Sequence, residues 1–540
     1  MPSQRTIETP ILIVGAGPVG LGLALDLGWR GMRCMQIDQG DGTVEQPKIG
    51  HIAIRTMEYF RRWGIDKAVR NAGFPDDFRM SRVVCTALAK PPLYIDEHPC
   101  FRDMPAPKFS TEKKQRCPQH WLAPILQKAV ESYPSVALHY QWKLNALTQF
   151  PTHVDAEVSD HVSGETLTIR AAYLIGCDGF NGSVRDALGI EMHGKPKLSY
   201  SVSVLVRMPD LLRYCHYGQA ERHILIGPDG SWGIWTAIDG NELWRLTLLG
   251  IAEKLDLQQF DAAAWVRRAI GRDDAPFEVL SLLPWRRSEM IADQFGRGRV
   301  LIAGDAAHTM SPTGGMGMNT GMCDIVDLGW KLQAMVEGWG GPRLLESYDI
   351  ERRPVARRNA SASTSNLGAL TSPSDCARIL DETEDGIRVR QEVGANFAAA
   401  MRASYWEPSG LQLGYIYEGS PVCIADGTPL PEDTPRYMPT ARPGSRAPHA
   451  WLPDGRSTLD LFGRDFSLLC FAGAPQGDID ALAASAAHCK LPMCVTHIAD
   501  AETALLYEQP MALIRPDGHV AWRGNRAPDA ARIIDTVRGA

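Results

Sequence analysis

No two of the twelve cysteines scattered along these 540 residues form a CxxC pair. That absence sets aside a thiol-redox centre and fits reduced thiols in a cytoplasmic protein rather than disulfides or zinc, so no metal is expected. No stretch approaches the ~20 apolar residues of a membrane span. The opening MPSQRTIETPILIVGAG lacks a signal-peptide layout, because its apolar run is short and ends in glycines. A basic block is missing too. The 56 basic and 63 acidic side chains leave a net charge of −7, which argues against nucleic-acid or membrane-surface partners. Repeats and long low-complexity segments are absent. The length allows about three to four domains and a large buried core.

What the chain does have is glycine, 50 residues of it, placed where apolar runs end. In Arg299–Leu332 the run Val300-Leu301-Ile302-Ala303 reads as a buried strand, broken by Gly304-Asp305. Gly314, Gly315, Gly317 and Gly321 leave backbone free to approach a ligand. Met322, Ile325, Val326, Leu332, Met335 and Val336 then recur at helical spacing, so the loop feeds a helix N-terminus with unpaired N–H groups. Asp305 is placed to accept hydrogen bonds from a bound polyol.

Residues 11–14 form another apolar run, leading into Gly15-Ala16-Gly17-Pro18-Val19-Gly20. This is GxGxxG, a pattern with about 0.4 chance matches expected at this glycine content, so its context decides. A helical stretch (Leu21 to Trp29) follows, then a second strand, Cys34–Ile37, ending in the acid Asp38. That order predicts a dinucleotide fold, with pyrophosphate on the helix N-terminus and Asp38 on a ribose. Only one such fingerprint is present. Tyr173-Leu174-Ile175-Gly176-Cys177-Asp178-Gly179 repeats the theme and continues toward Arg185. One extended cofactor, touched at its phosphates, middle and far end, would explain all three sites.

Between these motifs lie Pro47-Lys48-Ile49-Gly50-His51, an amphipathic helix closed by Gly64, and a helix beginning near Gln119. Arg55 reads as structural. From 196 to 285 the texture changes to alternating strands, with a hairpin from His223 to Ile238 turning at Gly227–Gly230 and a third strand from Leu243 to Leu249. This aromatic-rich sheet is a candidate wall for a flat ligand, with His223, Trp232 and Trp235 as pocket candidates. A long helix from Pro342 to about Leu370 is interrupted at Pro354, and 372–410 adds further helix. The fold class is α/β with an α+β insert. Its divisions are 1–195 plus 286–371, a sheet at 196–285 with 372–410 as its helical part, a linker at 411–440, and a small α/β unit at 441–540.

The GxGxxG at 15–20, Asp178-Gly179 with Arg185, and Gly304-Asp305 with Pro312-Thr313-Gly314 form an ordered set. It resembles the single-component (class A) FAD-dependent aromatic hydroxylases, of the p-hydroxybenzoate and phenol hydroxylase type. The C-terminal end is similar to the thioredoxin-like domain of the phenol, dichlorophenol and polyketide hydroxylase branch. The resemblance implies a discontinuous FAD-binding Rossmann-like domain and an inserted substrate sheet. It also implies a terminal domain with a structural or homodimer role. It implies non-covalent FAD, NAD(P)H as co-substrate without a domain of its own, O2, and a small phenolic or related aromatic substrate hydroxylated through a flavin C4a-hydroperoxide.

By the same resemblance Gly15, Ala16, Gly17, Pro18, Val19 and Gly20 would cradle the FAD pyrophosphate, with Asp38 and Gln39 at the adenosine ribose. Lys48 would contact FAD where the family usually has Arg. Gln119 and Asp305 would reach the ribityl chain, and Asp178 and Gly179 would serve both nucleotides. Pro312 would lie beside substrate and flavin, with Gly315, Gly317, Met318 and Asn319 at the pyrimidine edge. Two departures stand out: Gly182 replaces a common Ser, and Gly50, next to His51, replaces an acidic base. The base candidates are therefore His51, His216, Tyr217 and His223. The absence of a second nucleotide-binding motif, of WxWxIP and of paired redox cysteines disfavours other flavoenzyme classes. A non-catalytic FAD-binding sensor or resistance-type binder is the alternative.

Overall fold

The computed structural model describes residues 5–48, 50–371, 375–403, 409–432 and 434–540; Ile49 and parts of the 372–410 segment thus lie outside the described residues. Its centre is a parallel sheet. The fully buried Ile11, Leu12 and Ile13 of strand Thr6–Val14 are flanked by Cys34–Asp38 on one side and Thr166–Gly176 on the other. Val136–Tyr140 and Val300–Ile302 extend the sheet at either side. Strands buried on both faces read as continuous apolar runs, which is why these were visible in the sequence. Helices Pro18–Trp29 and Met316–Glu337 pack together on this sheet.

The second sheet has eight strands: His308–Thr309, Glu278–Ala292, Met192–Arg207, Leu243–Ile251, Gly230–Ala237, Arg222–Gly227, Arg82–Cys85 and Tyr94–Asp96. It therefore reaches past the expected limits of 196 and 285. It also recruits two short strands from the first 100 residues, which carried no alternation to announce them. Helix Ala262–Ile270 covers one face, burying Trp235, Trp244, Leu246 and Leu248 against Val266 and Ile270.

The helix Arg343–Thr371 is not interrupted at Pro354. Ile350, whose carbonyl would have received the missing N–H, lies on the exposed side, where water can take its place. In the 411–440 segment, Leu411 of helix Ser409–Leu413 packs on Met316 and Ala362, and the buried Tyr415 and Tyr417 join the first core. The terminal unit orders its strands as Met493–His497, Phe466–Cys470, Met511–Ile514 and Val520–Gly524, the first two parallel and the rest antiparallel. With helices Gln476–His488, Ala501–Tyr507 and Ala530–Val537 this is the βαβαββα order of a thioredoxin-like domain. Trp330 and Trp339 share its core with Phe466 and Leu468. Among the described residues no helix is long and apolar enough to cross a membrane.

Candidate active site

The first glycine loop is built by exclusion. Gly15 has φ +107°, and a Cβ there would fall 2.4 Å from the Cys177 carbonyl oxygen. A Cβ on Gly20 would fall 2.0 Å from the Gly15 carbonyl oxygen, whereas Gly17 has nothing within 4 Å. Gly15 and Gly20 thus let backbones touch, and Gly17 leaves the approach open. Helix Pro18–Trp29 begins there without a side-chain cap, so its positive end is free for an anion. Asp38 accepts from the N–H groups of Ala16 at 2.6 Å and Gly40 at 2.7 Å, with Gln39 exposed between.

Gly304 (φ +62°) turns the chain at the end of strand Val300–Ile302. The next residue, Asp305, opens into the cleft and makes no hydrogen bond to any described residue. Desolvation raises its pKa, against the pull of His308 and Lys48. Because the side chain is exposed to the open cleft, a ligand's hydroxyls can reach it and donate to it. Gly317 approaches Asp305 Oδ1, and Gly315 packs on His51, where a Cβ would lie 3.0 Å from His51 Cβ. Gln119 accepts from the Lys48 N–H at 3.2 Å. Pro312 is exposed between the buried Ser311 and Thr313. Lys48, His51, Gln119, Asp305, Gly315 and Gly317 are therefore brought to one cleft.

Asp178 caps the short helix Ser183–Ala187 through the Val184 N–H at 3.0 Å, while its Oδ1 is buried without a partner and burial raises its pKa. A Cβ at 182 would sit 2.6 Å from that oxygen, which accounts for Gly182. The Gly50 departure also has a counterpart. The Arg116 guanidinium lies 3.4 Å from where a side chain at 50 would begin, and it is taken up by Glu221 and the Ala237 carbonyl.

Several sequence-derived candidates are placed otherwise. The buried Asn319 amide is saturated by protein: it accepts from Ala53 N–H at 2.9 Å and Thr56 Oγ1 at 2.7 Å, and donates to the His51 and Gly315 carbonyls. Its side chain staples the 51–56 segment to the helix start and leaves only backbone for a ligand; the neighbouring Met318 side chain is buried too. Trp235 is fully buried on the covered sheet face. His223 shares that face, 3.4 Å from Cys215, its pKa pushed down to about 4 by burial. Trp232 stacks under Arg268, whose guanidinium is 4.4 Å from the ring centre. Tyr217 bonds Ser81, and the backbone of the exposed His216 bonds Leu88, toward the Arg82–Cys85 edge of the sheet. Pro312 follows the strand at the opposite edge. These five do not gather with it.

The other sheet face was missed by sequence reasoning. It carries Ser201, Ser203, Thr236, Arg245 and Thr247, two apart along their strands. Arg245 donates to the Pro47 carbonyl at 2.8 Å, and the buried Arg287 donates to Ser201 Oγ at 3.1 Å and reaches Ser311 Oγ at 3.5 Å. The face thus looks onto the Pro47–Lys48 and Ser311–Pro312 segments that bound the cleft. Among the described residues neither guanidinium has a carboxylate within 4.0 Å. Burial pushes both pKa values down to about 10, helped for Arg287 by Arg245 and for Arg245 by Arg116 and Arg222.

A family model described as FAD binding domain matches residues 8–363, and one described as aromatic-ring hydroxylase, C-terminal, matches residues 440–539. The chain is 31% identical to a putative polyketide hydroxylase of Streptomyces halstedii, over 98% of this chain and 96% of that protein. RebC soaked with chromopyrrolic acid and holding 7-carboxy-K252c matches with a TM-score of 0.92 and 37% identity, over 99% of this chain and 100% of that one. The flavin-dependent monooxygenase PieE, in complex with FAD and substrate, matches with a TM-score of 0.87 and 28% identity, over 98% of both chains. Cleft and fold are those of a flavin-dependent monooxygenase acting on aromatic substrates. The chain belongs to the FAD-dependent aromatic-ring hydroxylases, in the branch that carries the additional C-terminal domain.

Proposed function

We propose that this enzyme hydroxylates a polycyclic aromatic substrate bearing a carboxylate, using NAD(P)H and O2. The observation that carries the substrate class is the pair Arg245 and Arg287, two enclosed guanidinium groups without a carboxylate partner beside the cleft. An unpaired buried charge is expensive, and an anionic substrate would offset it with charge-assisted hydrogen bonds. RebC, matched over nearly the whole chain, holds the carboxy compound 7-carboxy-K252c, in keeping with this reading.

The residues divide the labour as follows. Bound flavin would supply the hydride and oxygen chemistry. Gly15, Ala16, Gly17, Pro18, Val19 and Gly20 would receive its pyrophosphate, with Asp38 and Gln39 at the ribose end. Lys48, Gln119, Asp178, Gly179 and Asp305 would line its middle, and the backbone from Gly315 to Asn319 its ring edge. Arg245 and Arg287 orient the substrate, and Pro312 limits its approach. His51, packed on Gly315, is the base candidate within the cleft. The polar sheet face and the Gln46–Pro47 segment bonded to it exclude water from the reacting ring.

The test is a panel of paired arenes, each acid set against its methyl ester, read as stimulated NAD(P)H oxidation with mass spectrometry of the product. Acids are expected to stimulate oxidation and gain one oxygen. If esters turn over as well as acids, the substrate class is wrong; if no arene stimulates oxidation, the hydroxylase assignment for this cleft fails. Arg287→Met should raise KM for the acid about 10- to 150-fold, the worth of one charge-assisted hydrogen bond, and leave the ester unaffected.

A further inference from the structure

The turn that presents Asp305 is held from behind by a residue outside the cleft. Asp324, about two turns into helix Met316–Glu337, is fully buried. Its Oδ2 takes the Gly304 N–H at 3.3 Å and His308 Nε2 at 2.7 Å, and its Oδ1 takes Arg352 Nε at 2.8 Å. Burial alone would raise its pKa, but His308 and Arg352 hold it below the ordinary carboxylate value, so the donors meet a charge. Arg352 is itself fixed by the Thr320 carbonyl at 3.2 Å and the Tyr417 hydroxyl at 3.4 Å. The other ring nitrogen of His308, Nδ1, is buried without a partner among the described residues, and Asp324 is that ring's polar tether.

The surrounding packing has no slack. A Cβ on Gly321 would lie 2.6 Å from Val19 Cγ2 and 3.2 Å from Gly304 Cα. Helix, turn and first glycine loop are thus in direct contact at one point, and Arg185 adds a bond to the Ala306 carbonyl at 3.3 Å. Asp324 grips residues on either side of Asp305 in the chain. The Gly304 carbonyl accepts from the Ala307 N–H at 2.9 Å, so Asp324 secures the N–H side of the same turn.

We infer that Asp324 is a positioning residue for flavin binding, fixing Gly304 and His308 so that the Asp305 carboxylate is aimed into the cleft. This rests on the reading of Asp305 as a flavin contact. A purely structural Asp324 would stabilise the fold with no dependence on Asp305, and that difference is measurable.

FAD is titrated into the full-length apoprotein of wild type, Asp324→Ala, Asp324→Asn, Asp305→Ala and the double variant Asp305→Ala/Asp324→Ala, with urea unfolding in parallel. Asp324→Ala should raise the Kd for FAD about tenfold, with Asp324→Asn intermediate because its amide keeps one acceptor. In the Asp305→Ala background the same change should cost less than about twofold, because the group it aims is gone. Losses that multiply, or folded Asp324 variants that bind FAD like wild type, overturn the inference. If Asp324→Ala does not fold, Asp324→Asn in both backgrounds carries the same cycle. An unchanged Kd in Asp305→Ala alone overturns the reading beneath it, a result distinct from multiplied losses.

Discussion

Asp305→Ala is expected to raise the Kd for FAD about 10- to 150-fold, corresponding to about 1.5–3 kcal/mol for a hydrogen bond to a charged group. Asp38→Ala should cost several times less. The two carboxylates differ in what they already do. Asp38 accepts from the Ala16 and Gly40 N–H groups, so its role is partly to shape the loop, and water can replace a ribose contact at the exposed Gln39–Gly40 end. Asp305 bonds no described residue and stands exposed to the cleft. Removing it should therefore leave the apoprotein as stable as before, or slightly more stable, while FAD affinity falls. That opposed pair of changes marks a residue kept for binding rather than folding. Equal or reversed losses for the two variants, measured by FAD titration and thermal unfolding of the apoproteins, would contradict the assignment.

The glycine loops of the candidate site were legible because close backbone approach leaves glycine in the sequence wherever a Cβ cannot fit. Gly15 and Gly20 each mark such a contact, Gly304 marks a left-handed turn, and the apolar runs before Gly15 and Gly304 mark strands buried on both faces. The substrate half was not legible. Alternation in Leu243–Leu249 shows that Trp244 and Arg245 face opposite ways, but not which side is covered. That is decided by helix Ala262–Ile270, which lies beyond the strand in the chain and packs on the Trp244 side. Trp235 and Trp244 thus went to the core, and the opposite face, with Arg245 and Trp285, was left to the cleft. Nor could the sequence reveal that Arg245 and Arg287 lack carboxylate partners, since that is a statement about neighbours distant in the chain. Asn319 lay in a ligand-facing motif, yet its amide is consumed by the 51–56 segment. One signal was available and unread: Asp324 and Asp327 sit inside the otherwise apolar stretch Met322–Trp330, and buried acids require partners.

Those partners carry the second large effect, because the terminal domain is bolted to the flavin domain through buried charge. Arg515→Ala should destabilise the holoenzyme by about 3–5 kcal/mol, the usual consequence of removing one partner from a buried ion pair. Arg515 lies on the turn before strand Val520–Gly524, and its guanidinium meets Asp327 at 2.7 Å, Glu351 at 2.5 Å and Asp517 at 2.7 Å, all essentially inaccessible. Lys331 meets Asp327 at 2.7 Å and Glu351 at 2.6 Å from the other side. Three acids thus face two bases. Burial raises the pKa of the Asp327 carboxyl well above its ordinary value, against the pull of Lys331 and Arg515. Deleting Arg515 leaves Glu351 and Asp517 without their strongest partner. Glu351→Gln added to Arg515→Ala should recover part of the loss, because one stranded charge goes with it. Asp327 shares its helix with Gly317 and Asp324, so FAD retention should fall together with stability. Urea unfolding of the FAD-loaded single and double variants, followed by flavin release, measures both. An Arg515→Ala protein within about 1 kcal/mol of wild type would mean that the interface is held by the Trp330, Trp339 and Phe466 packing alone.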